Sequence, residues 1–507
     1  MRNVSPNRKK LLYILVLLFP VAFFGVLESG LRYFDYGSNL DLFVPAPAGF
    51  ADKDFLMTNP EIAERYFSSQ AYRPRPPDEF FLKQKPKNGY RIFVLGESTT
   101  AGWPYPNNVM FSRMLNQRLA EAFPERDIEV VNTALAAVNS FTLNDFMDEI
   151  LAQQPDAILI YAGHNEFYGA LGAGSTESLG RVRWVVKAYL ALLRFKTVQL
   201  LRDVVNNSGR WITGLMSDKS PRDPYPTLMG RMIGEASISY GSATYQVAKR
   251  HFQENLREIF SKAQQAGVPM LASELVSNVR DHRPFDAVHD GDQLPADVIF
   301  EWAKLLDKEQ MYGMARTAYY WAKDMDGLRF RASEEFNDVI HQVAAEFKVP
   351  VVPMKSYFEA ASPQGIVGSN LMLEHLHPNI DGYLVMGEAF FQGLRQHQFI
   401  SATWDASKLR PFAFYAQYWG VTELDRALGA LRVMQLMDHW PFRPPSSPTQ
   451  IFTDYQPKTK AEELAYKVAK DELDFMQAHV DLAAYYVQQG QLEQAIREYQ
   501  ALINATP

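Results

Sequence analysis

A serine stands where a buried strand is expected to end, in the segment Gly96-Glu-Ser-Thr-Thr-Ala-Gly102. A serine that attacks an ester needs exposure at a strand end, a base that takes its proton, and donors that stabilise the oxyanion. Ser98 directly follows the apolar run 90–95, and open parallel sheets bind ligands beyond the carboxyl ends of their strands. A serine in this place is also commonly a helix N-cap, so Ser98 alone does not establish a nucleophile.

A second segment, Glu374-His-Leu-His-Pro378, contains a candidate base. A carboxylate three residues before a histidine can hold the imidazole in one tautomer and stabilise the imidazolium, which pairs Glu374 with His377. The two histidines also suggest a metal site, but the chain has no cysteine and no second cluster of ligands lies nearby. We therefore predict no metal and no cofactor.

The third segment, Gly163-His-Asn-Glu166, follows another apolar run. An asparagine amide on a glycine-containing turn is a good donor to an oxyanion, although Asn and Gly are also ordinary turn residues. Gly163, His164 and Glu166 flank Asn165 and are candidate substrate contacts. His164 can equally make a structural hydrogen bond.

Together and in this order, the three segments resemble the sequence blocks of the SGNH/GDSL hydrolase family, which is esterase- and lipase-like. The resemblance implies a flavodoxin-like three-layer α/β/α sandwich and ester hydrolysis through an acyl-enzyme. It implies that Ser98 is the nucleophile, His377 the general base and Glu374 the carboxylate that orients it. It also implies an oxyanion hole made of the backbone N–H groups of Ser98 and Ala134 and the side chain of Asn165.

The resemblance covers about residues 90–395 and departs from the family pattern at three positions. Glu97 and Glu374 stand where the family has aspartates, so each keeps the charge on a side chain one methylene longer. Ala134 stands for the glycine of the second block. An alanine supplies its N–H without strain only where its φ is negative.

The elements that must position these residues alternate between apolar runs and helical segments, which indicates βαβ units and a parallel sheet. Strands are predicted at 90–95, 128–131, 156–161, 268–273 and 349–353. The fold class is therefore α/β, with a five-stranded parallel sheet in a hydrolase domain over 89–400. A large helical insertion is expected at about 175–260 and 290–326.

The first 34 residues predict a membrane anchor. Basic residues in the tail 1–10 precede an unbroken apolar run from Leu11 to Leu27, and the segment 11–34 has the length of one transmembrane helix. This charge asymmetry predicts a single-pass signal anchor with a cytoplasmic N-terminus and an extracytoplasmic enzyme, periplasmic or extracellular. A cleaved signal peptide and a buried helix are the alternatives. A proline-rich stalk over 35–88 is expected to follow.

The C-terminal region changes in character. Residues 401–457 are predicted to be a linker, and 458–507 show the spacing of small and aromatic residues typical of a tetratricopeptide (TPR) repeat. In this interpretation Ala483 and Ala495 allow two helices to approach closely, and Tyr499 fills the space between them. One repeat cannot bury its own apolar face, so we expect this segment to bind a protein partner and to take no part in bond breaking.

The net charge of −7, without a long basic run, gives no electrostatic case for nucleic acid. The predicted function is a membrane-anchored serine hydrolase that removes O-acyl groups, such as O-acetyl, from an acylated substrate such as an envelope or secreted polysaccharide. Two alternatives stay open. One is an O-acyltransferase that uses the same acyl-serine, and the other is a catalytically weak, membrane-tethered TPR scaffold for an assembly complex.

Overall fold

The computed structural model describes residues 6–47, 49, 54–67, 73–178, 182–205, 227–289, 293–444, 447 and 455–505. The chain forms two compact units. One unit comprises Met1–Leu40 and Val182–Arg222, and the other comprises Asp41–Arg181 and Asp223–Pro507. All candidate site residues belong to the second unit.

The strands form two sheets. In chain order they are β1 (Phe43–Pro45), β2 (Phe55–Thr58), β3 (Phe80–Leu82), β4 (Gly89–Gly96), β5 (Asp127–Asn132), β6 (Ala157–Tyr161), β7 (Met270–Ser273) and β8 (Val351–Val352). The central sheet is parallel, with the order β5-β4-β6-β7-β8. Numbered from its own first strand, this order is 2-1-3-4-5, the flavodoxin-like arrangement. The predicted α/β class and five parallel strands are confirmed.

The described helices precede, connect and follow these strands along the chain. They are α1 (Pro6–Tyr33), α2 (Phe111–Ala122), α3 (Ser140–Ala152), α4 (Arg183–Leu192), α5 (Leu228–Arg231), α6 (Ala243–Gln265), α7 (Ala296–Lys308), α8 (Tyr312–Asp324), α9 (Glu334–Phe347), α10 (Met354–Ala360), α11 (Ile380–Gln396), α12 (Phe412–Tyr418), α13 (Glu423–Met437), α14 (Lys460–Ala469), α15 (Phe475–Gln488) and α16 (Leu492–Ala505). Helix α2 packs against α11, where the rings of Phe111 and Phe390 stack with centroids 5.0 Å apart. Helix α3 packs against α6, and Asn255 Nδ2 donates to Ser140 Oγ at 2.9 Å.

The inner strands are apolar because helices cover both of their faces. Strand β4 is buried from Tyr90 onwards, and every residue of the central strand β6 is buried. Such continuous apolar runs are typical of parallel sheets covered by helices. Since the carboxyl ends of parallel strands meet at one edge, this sheet brings the segments after β4, β5 and β6 together.

The predicted stalk contains an antiparallel sheet of β1, β2 and β3 that packs onto the domain. Phe43 of β1 lies against Phe93 of the central sheet, with ring centroids 5.6 Å apart. The buried guanidinium of Arg113 on α2 pairs with Glu79 just before β3, at 2.8 Å. From Asp41 onwards, the described part of this segment is thus an integral part of the second unit.

The N-terminal helix α1 belongs to the first unit. Within the described part of the chain, no helix has both the length and the apolar character that crossing a membrane requires. Glu28 accepts hydrogen bonds from the N–H groups of Lys196 and Thr197 at 3.0 and 2.8 Å. The predicted transmembrane anchor over 11–34 is therefore not supported by the described residues.

Strand β7 separates the predicted helical insertion into two parts. Helices α4, α5 and α6 precede this strand, and the hairpin of α7 and α8 follows it. Residues 206–226 of the predicted insertion lie outside the described residues. The small residues Ala303, Ala315 and Ala322 are buried where α7 and α8 pack together.

The predicted linker contains helices α12 and α13. The capping box Thr422–Asp425 begins α13, whose apolar face packs against α14 and α15. This buried cluster consists of Leu424, Leu428, Leu431, Ala461, Leu464, Ala465, Val468, Ala478 and Leu482. The C-terminal helices and α13 therefore form one helical layer.

The contribution of this cluster to stability can be measured at Leu428, which is fully buried on α13. Leu428→Ala is expected to reduce the free energy of unfolding by about 2–5 kcal/mol, because the truncation leaves a cavity. Met434→Ala on the same helix, at a side chain that is 40% exposed, is the control and is expected to change it by less than about 0.5 kcal/mol. Thermal unfolding followed by circular dichroism compares the two, and equal midpoints would contradict the packing described.

Candidate active site

Ser98 lies on the tight turn that follows β4. A Cβ on Gly96 would meet the side chain of Thr100 at 2.0 Å and the carbonyl oxygen of Tyr161 at 2.5 Å, so only glycine fits there. The turn closes where Trp103 N–H donates to the Ser98 carbonyl at 3.1 Å. Ser98 is half-buried, and among the described residues its own N–H has no hydrogen-bond acceptor. The serine thus presents a hydroxyl and a free N–H at the carboxyl edge of the sheet.

The loop before α11 brings the predicted base to this serine. His377 Nε2 lies 2.8 Å from Ser98 Oγ. On the other side of the ring, Nδ1 contacts Oε1 of Glu374. The Glu374 carboxylate also accepts the backbone N–H groups of His375 at 2.7 Å and His377 at 2.9 Å. Ser98, His377 and Glu374 therefore form one continuous hydrogen-bonded chain, the arrangement that a nucleophile, its base and an orienting carboxylate require.

The imidazole of His377 is held neutral. Burial lowers the pKa of His377 to about 3, so at neutral pH its Nε2 is able to accept a proton. The contact with Glu374 places the ring proton on Nδ1, since a carboxylate accepts it there. The indole of Trp103 covers the ring, with centroids 4.4 Å apart. The histidine is thus fixed in one tautomer and one orientation.

His375 also contacts the Glu374 carboxylate through Nδ1, but its other neighbours differ from those of His377. Its ring lies among aromatic side chains, with centroids 5.4 Å from Phe285, 5.7 Å from Phe330 and 5.8 Å from Phe442. Burial lowers the pKa of His375 well below its ordinary value. No hydrogen bond joins it to Ser98 in the described structure, so His377 is the histidine in position to act as base.

The carboxylate of Glu97 joins the serine turn to the loop that carries Asn165. It accepts backbone N–H groups from Gly163 at 3.1 Å and from His164 and Asn165 at 3.2 Å each. Burial raises the pKa of Glu97, as does the nearby Glu166, whereas the three N–H donors lower it. Gly163 has a φ of +142°, and a Cβ there would meet Leu275 at 2.7 Å. The longer Glu97 therefore spans two loops that the sheet places side by side.

The structure does not support Ala134 as an oxyanion donor. Its N–H donates at 3.0 Å to Oδ1 of Asn132, and Ala134 is fully buried. Ala137 lines the same cavity as Ser98 and has a positive φ of 55°. Its carbonyl accepts the N–H of Ala170 at 2.8 Å, and among the described residues its own N–H has no acceptor. Of the two alanines, Ala137 is therefore the one whose N–H is in position to donate to an oxyanion.

Ala137 was missed because nothing in its residue type marks a positive φ. A positive φ is sterically unfavourable for alanine but not for glycine. A glycine, the usual sign of this backbone conformation, is therefore absent from the sequence at this position. Asn165, in contrast, was predicted from its glycine-containing turn. The structure places its side chain in the wall of the cavity that Ser98 and Ala137 line.

The other candidate substrate contacts do not line the cavity. His164 is buried, and its Nδ1 accepts the N–H of Ala332 at 3.2 Å. Burial lowers the pKa of His164 to about 3. Glu166 accepts from the backbone N–H and the hydroxyl of Ser140 at the start of α3, both at 2.8 Å. Gly163 allows the backbone to turn. Gly163, His164 and Glu166 therefore all have structural roles.

The site opens into a cavity of about 530 Å³. Its lining consists of Ser98, Trp103, Ala136, Ala137, Asn165, Tyr168, Gly169, Thr227, Leu228, Met229, Met232, Phe330, His375, Leu376, His377, Arg432, Gln435, Leu436 and His439. The size suits a small organic ligand, and apolar side chains make up much of the wall.

One wall of the cavity comes from the region predicted to be a linker. Arg432, Gln435 and Leu436 lie on α13, and His439 follows it. A signal for this helix was present in the sequence. Thr422 and Asp425 have the spacing of a capping box before an apolar run, and that spacing predicts a helix start. Because prolines are frequent beyond residue 440, a linker was predicted for this region instead.

Comparison with known proteins gives a family match. The model of the GDSL-like Lipase/Acylhydrolase family matches residues 94–385. No curated protein matches the chain.

Several solved structures are similar at low sequence identity. TesA is 16% identical, over 60% of this chain and 98% of its own, with a TM-score of 0.29. A catalytic mutant of Axe2, an acetylxylan esterase from Geobacillus stearothermophilus, is 13% identical over 62% of this chain and 96% of its own, with a TM-score of 0.30. A GDSL-like lipase from Bacteroides thetaiotaomicron is 9% identical over 62% of this chain and 93% of its own, with a TM-score of 0.30.

The burial of His377 predicts the pH dependence of ester turnover. A general base works only when deprotonated, so kcat/KM falls as the pH drops through its pKa. Because burial lowers that pKa from 6.5 to about 3, the acidic limb should lie well below pH 6.5. Turnover of a neutral aryl ester between pH 3 and 9 measures the limb, with circular dichroism at each pH as the control for unfolding. A half-maximal rate at or above pH 6.5 would contradict the desolvated base.

The bridging role of Glu97 predicts a defect in kcat. Glu97→Ala leaves three backbone N–H groups without their acceptor and frees the Asn165 loop, so we expect kcat to fall about 100-fold with KM nearly unchanged. The control is Glu125→Ala, which removes an exposed carboxylate and is expected to change neither constant. A folded Glu97→Ala enzyme that keeps more than half of kcat would show that the loop holds Asn165 without Glu97.

Proposed function

The chain belongs to the GDSL-like lipase/acylhydrolase family, and we propose that it hydrolyses a carboxylic ester through an acyl intermediate on Ser98. Membership in this family makes the protein a hydrolase of ester bonds. The observation that carries the assignment of residues is the hydrogen-bonded chain from Ser98 Oγ through His377 to Glu374, at the mouth of a substrate-sized cavity.

In the acylation step Ser98 Oγ attacks the ester carbonyl carbon while His377 Nε2 takes the hydroxyl proton. The carbonyl oxygen becomes an oxyanion, and the unpartnered N–H groups of Ser98 and Ala137 with the side-chain amide of Asn165 are the available donors. Glu374 stabilises the imidazolium that forms. His377 then donates its proton to the departing alkoxide, which leaves as an alcohol.

Deacylation repeats these steps with water. His377 Nε2 takes a proton from the water as its oxygen attacks the acyl carbon, and the same donors stabilise the second oxyanion. The bond to Ser98 Oγ then breaks, and the proton on His377 returns to the serine. The products are a carboxylic acid and the free enzyme. An acyltransferase would differ only at this stage, where a substrate hydroxyl would replace water.

The finer predictions on substrate, location and partner rest on the sequence. Removal of O-acetyl groups from a glycan is consistent with a cavity that holds a small ester. The membrane anchor and the extracytoplasmic location are predictions from the charges before residue 11. The protein partner of the C-terminal segment is supported by the exposed apolar face of α16, where Leu492, Ile496, Tyr499 and Ile503 lie at helical spacing.

The proposed function is tested with the purified chain, a fluorophosphonate probe and 4-nitrophenyl acetate. We expect the probe to label Ser98 and the ester to be hydrolysed, and Ser98→Ala to abolish both with an unchanged melting temperature, because the hydroxyl is the attacking atom. Ser407→Ala, an exposed serine outside the cavity, is the matched control. Labelling without turnover would favour the acyltransferase, and absence of both would favour the scaffold.

A further inference from the structure

Arg432 brings a positive charge to the wall of the catalytic cavity. It lies on α13, and among the described residues its one hydrogen bond runs from Nη1 to the carbonyl oxygen of Pro104 at 2.8 Å. No described carboxylate forms an ion pair with it. A guanidinium carries five N–H donors, so most of those on Arg432 have no protein acceptor.

The surrounding wall does not neutralise this charge. The described lining of the cavity contains no aspartate or glutamate, and Arg432 is its one lysine or arginine. His375 and His377 are kept neutral by burial, which lowers the pKa of both rings. Burial also lowers the pKa of Arg432, while Asp471 raises it, and a guanidinium stays charged at neutral pH.

An unpaired charge in such a place is costly, and a ligand of opposite charge would offset that cost. One guanidinium matches one negative charge, and its parallel N–H donors match the two oxygens of a carboxylate. The neighbouring side chains of Trp103, Leu228 and Phe330 are apolar or aromatic and suit the uncharged part of the same molecule. Arg432 therefore has the position and the free donors of a substrate-binding residue.

Resting on the proposed ester hydrolysis, we propose that Arg432 binds a carboxylate of the substrate, so that this enzyme selects esters that bear a negative charge. The charge can lie on the alcohol part or on the acyl part of the ester, and paired substrates distinguish the two.

The first pair places the charge on the alcohol part. 4-Acetoxybenzoate and its neutral analogue 4-acetoxybenzamide are compared with wild type, Arg432→Gln and the control Arg426→Gln. Arg426 is on the same helix, but its side chain is 52% exposed and lies 3.9 Å from Glu423. The ratio of kcat/KM, charged over neutral, is expected to fall at least tenfold in Arg432→Gln and to stay unchanged in the control. Comparing ratios between variants cancels the intrinsic reactivity of the two esters.

The second pair places the charge on the acyl part, with 4-nitrophenyl hydrogen succinate against 4-nitrophenyl butyrate. A tenfold loss of the ratio in either pair supports the proposal and identifies which part of the ester carries the carboxylate. Raising the ionic strength should reduce the wild-type preference for the charged ester, because salt screens the attraction. Equal ratios in wild type and Arg432→Gln for both pairs would overturn the proposal.

A binding measurement separates this proposal from the proposed function and does not depend on a folded variant. Calorimetry on the wild-type chain compares 4-hydroxybenzoate with 4-hydroxybenzamide for the alcohol part, and succinamate with succinamide for the acyl part. We expect the anion of at least one pair to bind at least tenfold more tightly than its neutral partner. Binding of an anion without ester turnover would refute the hydrolase and leave the anion site standing, whereas turnover with equal binding within both pairs would refute the anion site and leave the hydrolase standing.

Discussion

The buried carboxylate of Glu97 is the interaction on which the geometry of the site depends. It sits beside the serine and accepts the N–H groups of Gly163, His164 and Asn165, so the turn after β4 and the loop after β6 are held together. A buried carboxylate is stable only when its oxygens are hydrogen-bonded, and unsatisfied backbone N–H groups are equally costly. The carboxylate on one loop and the N–H groups on the other therefore satisfy each other's hydrogen bonds. This fixes Asn165 relative to Ser98 without a direct contact.

The framework of the site could be predicted because a parallel sheet leaves little freedom. Apolar runs marked β4, β5 and β6, and the carboxyl ends of parallel strands must meet at one edge. The segments that contain Ser98 and Asn165 had to converge once those strands were recognised. The spacing of Glu374 and His377 was equally informative, since three residues are enough to turn a carboxylate back onto the imidazole.

Other parts of the site could not be read from residue types. Which of Ala134 and Ala137 can donate its N–H to an oxyanion depends on the backbone torsions and on the hydrogen bond from the Ala134 N–H to Asn132. Neither feature leaves a pattern in the sequence. The wall formed by α13 depends on a contact between segments far apart in the chain. The apolar N-terminal run predicted a membrane anchor, but no helix among the described residues has the length and apolar character that a span requires.

The position of α13 has a consequence for how the enzyme is made. Pro104 and Arg432, which a hydrogen bond joins, are 328 residues apart in the chain. The sheet can form while the chain is still being synthesised, because all of its strands precede residue 353. The apolar face of α13 is covered only when α14 and α15 have also left the ribosome. The nascent chain thus carries Ser98 early, but the cavity wall formed by α13 is packed in place only after α14 and α15 have emerged.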